Sequence, residues 1–189
     1  GIRAHGAIAS PSVSASVHGT GLVFADWTVD SIEAAANLRD GDLVLSDVKA
    51  QAPYATVAAG SVRVRTAANR RGPSSGVHLA LSSVEGTGVD LARLPPLRTL
   101  GLRGRGNVTV PRLALSTAAP FRTIDGSGTA SFSSLSVAGK VLKRTELAVS
   151  ARDGRISIDR ASAALAGGGT IGIGGSIASD LRASDISFA

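Results

Sequence analysis

Leu38 to Val64 reads LRDGDLVLSDVKAQAPYATVAAGSVRV, and Ala151 to Ile177 repeats its layout as ARDGRISIDRASAALAGGGTIGIGGSI. Each stretch has an Arg-Asp-Gly turn, alternating apolar residues, a small-residue kink and a second alternating run. Asp40 matches Asp153 and Gly41 matches Gly154, an offset of 113 positions that also aligns Leu43 with Ile156, Leu45 with Ile158 and Ala50 with Ala163. After a slip of one residue, Thr56-Val57 matches Thr170-Ile171, and after a second Gly60-Ser61 matches Gly175-Ser176. So regular an echo implies a duplicated β-meander, not a fold built around one catalytic pocket. The copies run roughly over 19–64 and 128–178 of a single segment, 1–189.

Within the first copy, Asp40-Gly41 between apolar alternations is a hairpin signal. Ser31 to Leu38 has helical propensity but feeds directly into that hairpin, so it is read as a strand, like Glu146–Ala151 in the second copy. Leu43 and Leu45 share one face, whereas Val48, Ala50 and Ala52 continue one phase later. That change at Ser46-Asp47 predicts a bulge or bend, and Ile156 and Ile158 followed by Ala161, Ala163 and Leu165 shift likewise. Val62 and Val64 alternate with Arg63 and Arg65.

Outward from this stretch, Val13, Ala15 and Val17 alternate with serines, with Pro11 at the strand's start. Gly19 to Gly21 is read as a turn, and Asn69 to Pro73 as a polar loop. Val77, Leu79 and Leu81 form one face, with His78 opposite. Gly88 to Leu100, GVDLARLPPLRTL, interrupts the rhythm: Asp90 is placed to cap a short helix over Leu91–Leu94, which Pro95-Pro96 stops. Alternation returns with Leu100 and Leu102, Val108 and Val110, and Leu113 and Leu115. Asp125-Gly126 is read as a further turn, followed by Ala130 with Phe132, Leu135 with Val137, and Leu147 with Val149. The expected fold class is therefore all-β: an elongated antiparallel meander of about a dozen short strands, with one short helical interruption near 89–95. Its apolar face must be covered by a second sheet, by closure into a barrel, or by a bound apolar ligand.

The chain has 189 residues, without Cys or Met. Beginning at Gly1 and ending mid-pattern at Ile186 and Phe188, it is expected to be an internal piece of a longer protein. Lacking Cys, it has no disulfide or thiolate metal site. No run of about 18 apolar residues is present to span a bilayer as a helix. Apolar residues make up 43% but aromatics only 3%, so the apolar surface is Ala, Val, Leu and Ile, which predicts a smooth, shallow interior. Trp27 and Tyr54 are read as local plugs. The net charge of +6 suits anionic partners in general, and a solvated outer face accounts for it more simply.

Catalytic signatures are missing. His5, His18 and His78 have no metal-ligand spacing. The one Gly-x-Ser-x-Gly match, Gly72-Pro73-Ser74-Ser75-Gly76, follows a polar loop and opens no helical pattern, so the serines are read as strand-face residues. The glycine runs Gly101–Gly106 and Gly167–Gly172 lack the Gly-Lys-Ser/Thr ending of a phosphate loop, and Gly139-Lys140 is followed by Val141. Asp40 and Asp153 are turn residues. The arginines Arg63, Arg65, Arg70, Arg71, Arg103 and Arg105 have no interleaved aromatics to stack bases, which argues against nucleic acid. The expectation is a protein that is not an enzyme and uses no cofactor or metal.

Several runs resemble the TamB proteins and the wider AsmA-like family. They are Gly6-x-Ile8-x-x-Pro11-x-Val13-x-Ala15-x-Val17, Gly21-Leu22-Val23, Thr28–Ile32, the two Arg-Asp-Gly units with their Gly-rich strands, and Val89–Pro95. The resemblance implies a U-shaped antiparallel sheet, the β-taco, with an apolar groove along its length. It also implies a bridge across the periplasm of a diderm bacterium, its parent anchored in the inner membrane, that conducts phospholipid to the outer membrane. Through parts of the parent outside this piece it implies a BamA-like outer-membrane partner and a role in outer-membrane protein assembly. Acyl chains satisfy an apolar face by nondirectional burial, so interchangeable aliphatic residues suffice. The candidate groove residues are Leu43, Leu45, Val62, Val64, Val77, Leu79, Leu81, Val108, Val110, Leu113, Leu115, Leu147, Val149, Ile156, Ile158, Ile171 and Ile173. The competing expectation is a structural or adhesive β-repeat, a closed sandwich or solenoid in which the same residues form a dry core.

Overall fold

The structure, a computed structural model, describes residues 2–5, 12–24, 26–39, 42–66, 77–95, 97, 101–116, 123–137, 139–153, 155–165, 167–178 and 184–188. They form one open, curved antiparallel sheet with almost no helix. Its strands are β1 (Ile2–His5), β2 (Ser12–Phe24), β3 (Trp27–Arg39), β4 (Asp42–Ala52), β5 (Ala55–Thr66), β6 (Val77–Asp90), β7 (Arg103–Ser116), β8 (Asp125–Val137), β9 (Lys140–Arg152), β10 (Arg155–Leu165), β11 (Thr170–Ala178) and β12 (Ser184–Phe188). Every strand pairs only with its neighbours in sequence, in the order β1 to β12. The connections β2–β3, β4–β5, β6–β7, β8–β9 and β10–β11 thus lie along one lip of the sheet, and the others along the opposite lip.

The duplication is built into the strands. Ser12, Trp27 and Asp42 open β2, β3 and β4; Asp125, Lys140 and Arg155, each 113 positions further on, open β8, β9 and β10. The two triplets have the same lengths of 13, 13 and 11 residues, and one copy advances the chain by six strands. The slip after Ala163 has a physical site. β4 and β5 are joined by the two-residue turn Pro53-Tyr54 between the paired Ala52 and Ala55. β10 and β11 are joined by a longer glycine turn closed by Leu165 N–H donating to Gly169 O at 3.0 Å. The Arg-Asp-Gly hairpin brings Arg152 opposite Arg155, with Asp153 at φ 49°, as a two-residue primed turn requires. Asp40, Gly41 and Gly154 lie outside the described residues, as do Pro11 and Asn69 to Pro73.

A line of irregularities crosses the sheet near mid-strand. The β3–β4 register shifts between Glu33 and Ala35, opposite Asp47 at φ 52°. Gly60 and Ser83 (φ 51°) face each other unpaired between β5 and β6. The β7–β8 register shifts between Thr109 and Arg112, at Pro111, and β10 shifts against both neighbours after Ile158. Each irregularity bends its strand and moves the apolar alternation by one residue, so the apolar face stays on one side. Pro111 is tolerated mid-strand because this line is where ladder bonds are interrupted. Small residues line it on the apolar side: Ala34, Val48 and Ala59 are buried and pack with Ile32, Leu45, Val62 and Val84 from both halves of the strands.

Some sequence expectations need correction. The strands are long, reaching 14 residues in β6 and β7. Gly19 to Gly21 is not a turn: β2 runs through it, and Gly21 takes up the irregularity at φ 61°. Asp125-Gly126 is not a turn either. Gly126 is in β8 opposite Leu113, so close that a Cβ would lie 2.5 Å from Arg112 O. The interruption near 89–95 begins later than expected, since β6 includes Val89 and Asp90. It carries turns: Arg93 N–H donates to Asp90 O at 3.1 Å and Leu97 N–H to Leu94 O at 3.0 Å. Asp90 Oδ1 accepts from Ala92 N–H at 3.1 Å, which is the capping geometry without a regular helix beyond it. The strand reading of Ser31 to Leu38 holds within β3.

Candidate functional site, an uncharged sheet face

Register assembles the candidate residues into rows, because directly opposed residues of an antiparallel pair project from the same face. One row runs Leu38–Leu43–Val64–Leu79–Leu115. The next runs Ala15–Ala36–Leu45–Val62–Leu81–Leu113–Gly126–Ala151–Ile156. Across the bulge line follow Val48–Ala59–Val84–Val110 and Gly128–Val149–Ile158–Gly175. Beyond them lies Gly19–Ile32–Ala50–Val57–Gly86–Val108–Ala130–Leu147–Ala161–Ile173. Ala163 pairs with Ile171, and Val77 continues the alternation of Leu79. All 17 candidates therefore fall on one face; for Ile173 only the register position is described. None of these rows contains a charged residue.

That face is not a dry core. The candidates whose side chains are described are half-buried, and Val149 is 36% exposed. Among the described residues no side chain is fully buried and no second sheet covers the first. The closed sandwich is thus not what these residues form. The accessible surface is 12657 Å², against about 8,300 Å² for a compact monomer of this mass.

The exception is local. The β6–β7 connection folds onto the apolar face, where Leu91, Leu94, Leu97 and Leu102 pack with Phe132, Leu135, Leu142, Leu147 and Ala55. Asp90 N–H donates to Tyr54 O at 2.8 Å, Leu91 N–H to Gly104 O at 3.0 Å and Arg93 Nη1 to Pro53 O at 3.1 Å, which ties the connection to the β4–β5 turn and to β7. Phe132 lies opposite Gly106, where any Cβ would collide with its ring. Opposite Phe132 on β9 is Thr145, 3% exposed, whose hydroxyl has no partner among the described residues. Sequence reasoning did not select Phe132, Leu135, Ala34, Val48, Ala59, Ala161 or Ala163. The visible signal was the alternation resuming in alanines beyond each phase change.

The opposite face is polar. Its central row reads Ser16–Ala35–Ser46–Ser61–Ser82–Arg112–Ser127–Ser150–Ser157–Ser176. The Ser61 and Ser82 hydroxyls are 2.8 Å apart, and Ser150 Oγ donates to Asp159 Oδ1 at 2.9 Å. Arg65 grips Asp42 with Nε at 2.8 Å and Nη2 at 2.7 Å from Oδ2. That hydrogen bond holds the Asp42 carboxyl below its usual range. Shallow depressions lie on this face, such as the one lined by Asn37, Arg39, Asp42, Ser46, Arg63 and Arg65. Among the described residues no cluster of His, Asp and Glu is placed to hold a metal, and no helix is long and apolar enough to cross a membrane. Tyr54 is a plug, as expected: it is buried, and its hydroxyl donates to Thr28 O at 2.9 Å. Trp27 is not, since it packs edge-on against Tyr54 at 5.6 Å yet remains 40% exposed.

Comparison with family models, with curated proteins and with solved structures gave no match to this chain.

Proposed function

We propose that the chain is a segment of a lipid-transfer bridge of the TamB and AsmA-like kind, whose sheet is a trough for phospholipid acyl chains. The observation that carries this reading is the uncharged face: unbroken aliphatic rows across the strands, half-exposed, with no protein layer over most of them. The bulge line is the floor of the trough, and the two halves of each strand are its walls. An apolar face of this extent is stabilised by acyl chains at about 25 cal/mol per Å² covered. Because that burial is nondirectional, a chain can slide from row to row without meeting a charged or strongly hydrogen-bonding group. The parent bridges inner and outer membranes across the periplasm, and its other parts engage a BamA-like partner in outer-membrane protein assembly.

The test is purification without detergent, followed by native mass spectrometry and titration with a fluorescent phospholipid. Bound phospholipid is expected, and Ile158→Asp, which places a carboxylate among Val149 and Gly175, abolishes it while the far-UV circular dichroism is retained. A folded wild-type chain that carries no lipid and takes up none rejects the proposal.

A further inference from the structure

Among the described residues, Leu22 (46%), Val23 (72%), Trp27 (40%), Val137 (37%), Val141 (49%) and Leu165 (42%) sit at the β2–β3, β8–β9 and β10–β11 connections, all on one lip. Among the described residues of the opposite lip the exposed large apolar side chain is Leu38, with the charged pair Asp42–Arg65 beside it. Spaced at about 10 Å per hairpin, the five connections of the apolar lip extend over about 40 Å. At its β8–β9 tip the valines are flanked by Lys140, Lys143 and Arg144, all exposed and forming no ion pair among the described residues.

We propose that this lip is a docking edge for an anionic bilayer surface, with the aliphatic hairpin tips and the Trp27 ring entering the headgroup region. The chemistry selects a membrane over a protein partner. Aliphatic tips need apolar contact, a partly exposed indole suits the boundary between acyl chains and water, and the exposed cations of the β8–β9 tip match lipid phosphates. This surface is independent of the trough reading, since its residues are not those of the apolar rows.

Trp27 is the only tryptophan in the chain, so its fluorescence reports on the lip alone. Vesicles of phosphatidylcholine with phosphatidylglycerol are expected to shift its emission to the blue, and brominated acyl chains to quench it. Phosphatidylcholine alone gives a weaker response. Lys140→Glu with Lys143→Glu lowers vesicle affinity at least about tenfold, and Val137→Asp with Val141→Asp removes the quenching. Ile158→Asp leaves docking unchanged, so failure of the trough reading and failure of this one are separable. No flotation with anionic vesicles overturns the proposal, as does binding indifferent to the four lip substitutions. Lipid-free self-association that the same substitutions dissolve also overturns it, by making the lip a contact between copies.

Discussion

Replacing Phe132 with Ala tests whether the β6–β7 connection is held on the sheet by the cluster beneath it. Phe132 is 4% exposed, and its ring covers Gly106, packs in one cluster with Leu135, and meets the leucines of the connection. The truncation removes roughly 100 Å² or more of buried apolar surface, about 2.5–3 kcal/mol at 25 cal/mol per Å². The unfilled space raises the cost to about 3–5 kcal/mol. Since each strand pairs only with its neighbours, the loss stays within the cluster and the strands beside it. Native-state hydrogen exchange is the suitable assay: amides of β7, β8 and β9 lose roughly a hundredfold in protection, while those of β3 and β4 change little. Leu94→Ala, on the connection itself, costs less in the Phe132→Ala background than in the wild type, because the two share the cluster. A uniform loss from β2 to β11, or a change of less than about tenfold in β8, refutes the reasoning.

Thr145→Val stabilises the chain by about 1 kcal/mol, because it removes a buried hydroxyl without a partner and keeps the shape; an unchanged or lower urea midpoint contradicts this. Asp47→Gly is neutral or slightly stabilising, whereas Asp47→Val costs roughly 1–2 kcal/mol, since a β-branched residue resists φ 52°; equal midpoints for the two variants exclude a bulge that depends on this conformation. Asp42 titrates below the usual carboxylate value because Arg65 donates to its charged form. Its contribution is therefore full above the unfolded pKa near about 3.9 and fades as pH falls through the lower folded value, and carboxyl NMR is expected to move that titration back up in Arg65→Ala.

How much was readable from the sequence follows from what each residue type constrains. Alternation in β4 and β10 disclosed the strands, the shared face and the bulge, since one extra residue must shift a period-2 pattern. The pairing of Asp40 with Asp153 exposed the duplication, because two-residue hairpins fix strand ends tightly. Glycine was harder to place. Gly19–Gly21 and Gly126 looked like turns, yet they sit inside β2 and β8, where Gly126 lies against Leu113. Glycine marks both a reversal and a crowded ladder, and only the partner strand tells them apart. Similarly, Asp90 and Pro95 did stop β6, but whether the leucines between them would form a helix or lie flat depended on Phe132 and Leu135, some forty residues away. The single-sheet architecture was not legible either, because half-buried and fully buried rows have the same periodicity.

The six-strand length of one copy is an even number, and that parity has a consequence for growth of the sheet. With an even count, β8 runs in the same direction as β2, the Arg-Asp-Gly hairpin returns to the same lip, and the uncharged side remains on the same side. A copy with an odd number of strands would carry that hairpin to the opposite lip. Any further copy therefore lengthens the sheet by about 29 Å as a pure translation with twist, without a crossover and without reversing its sidedness. The 113-residue spacing acts as a unit of length.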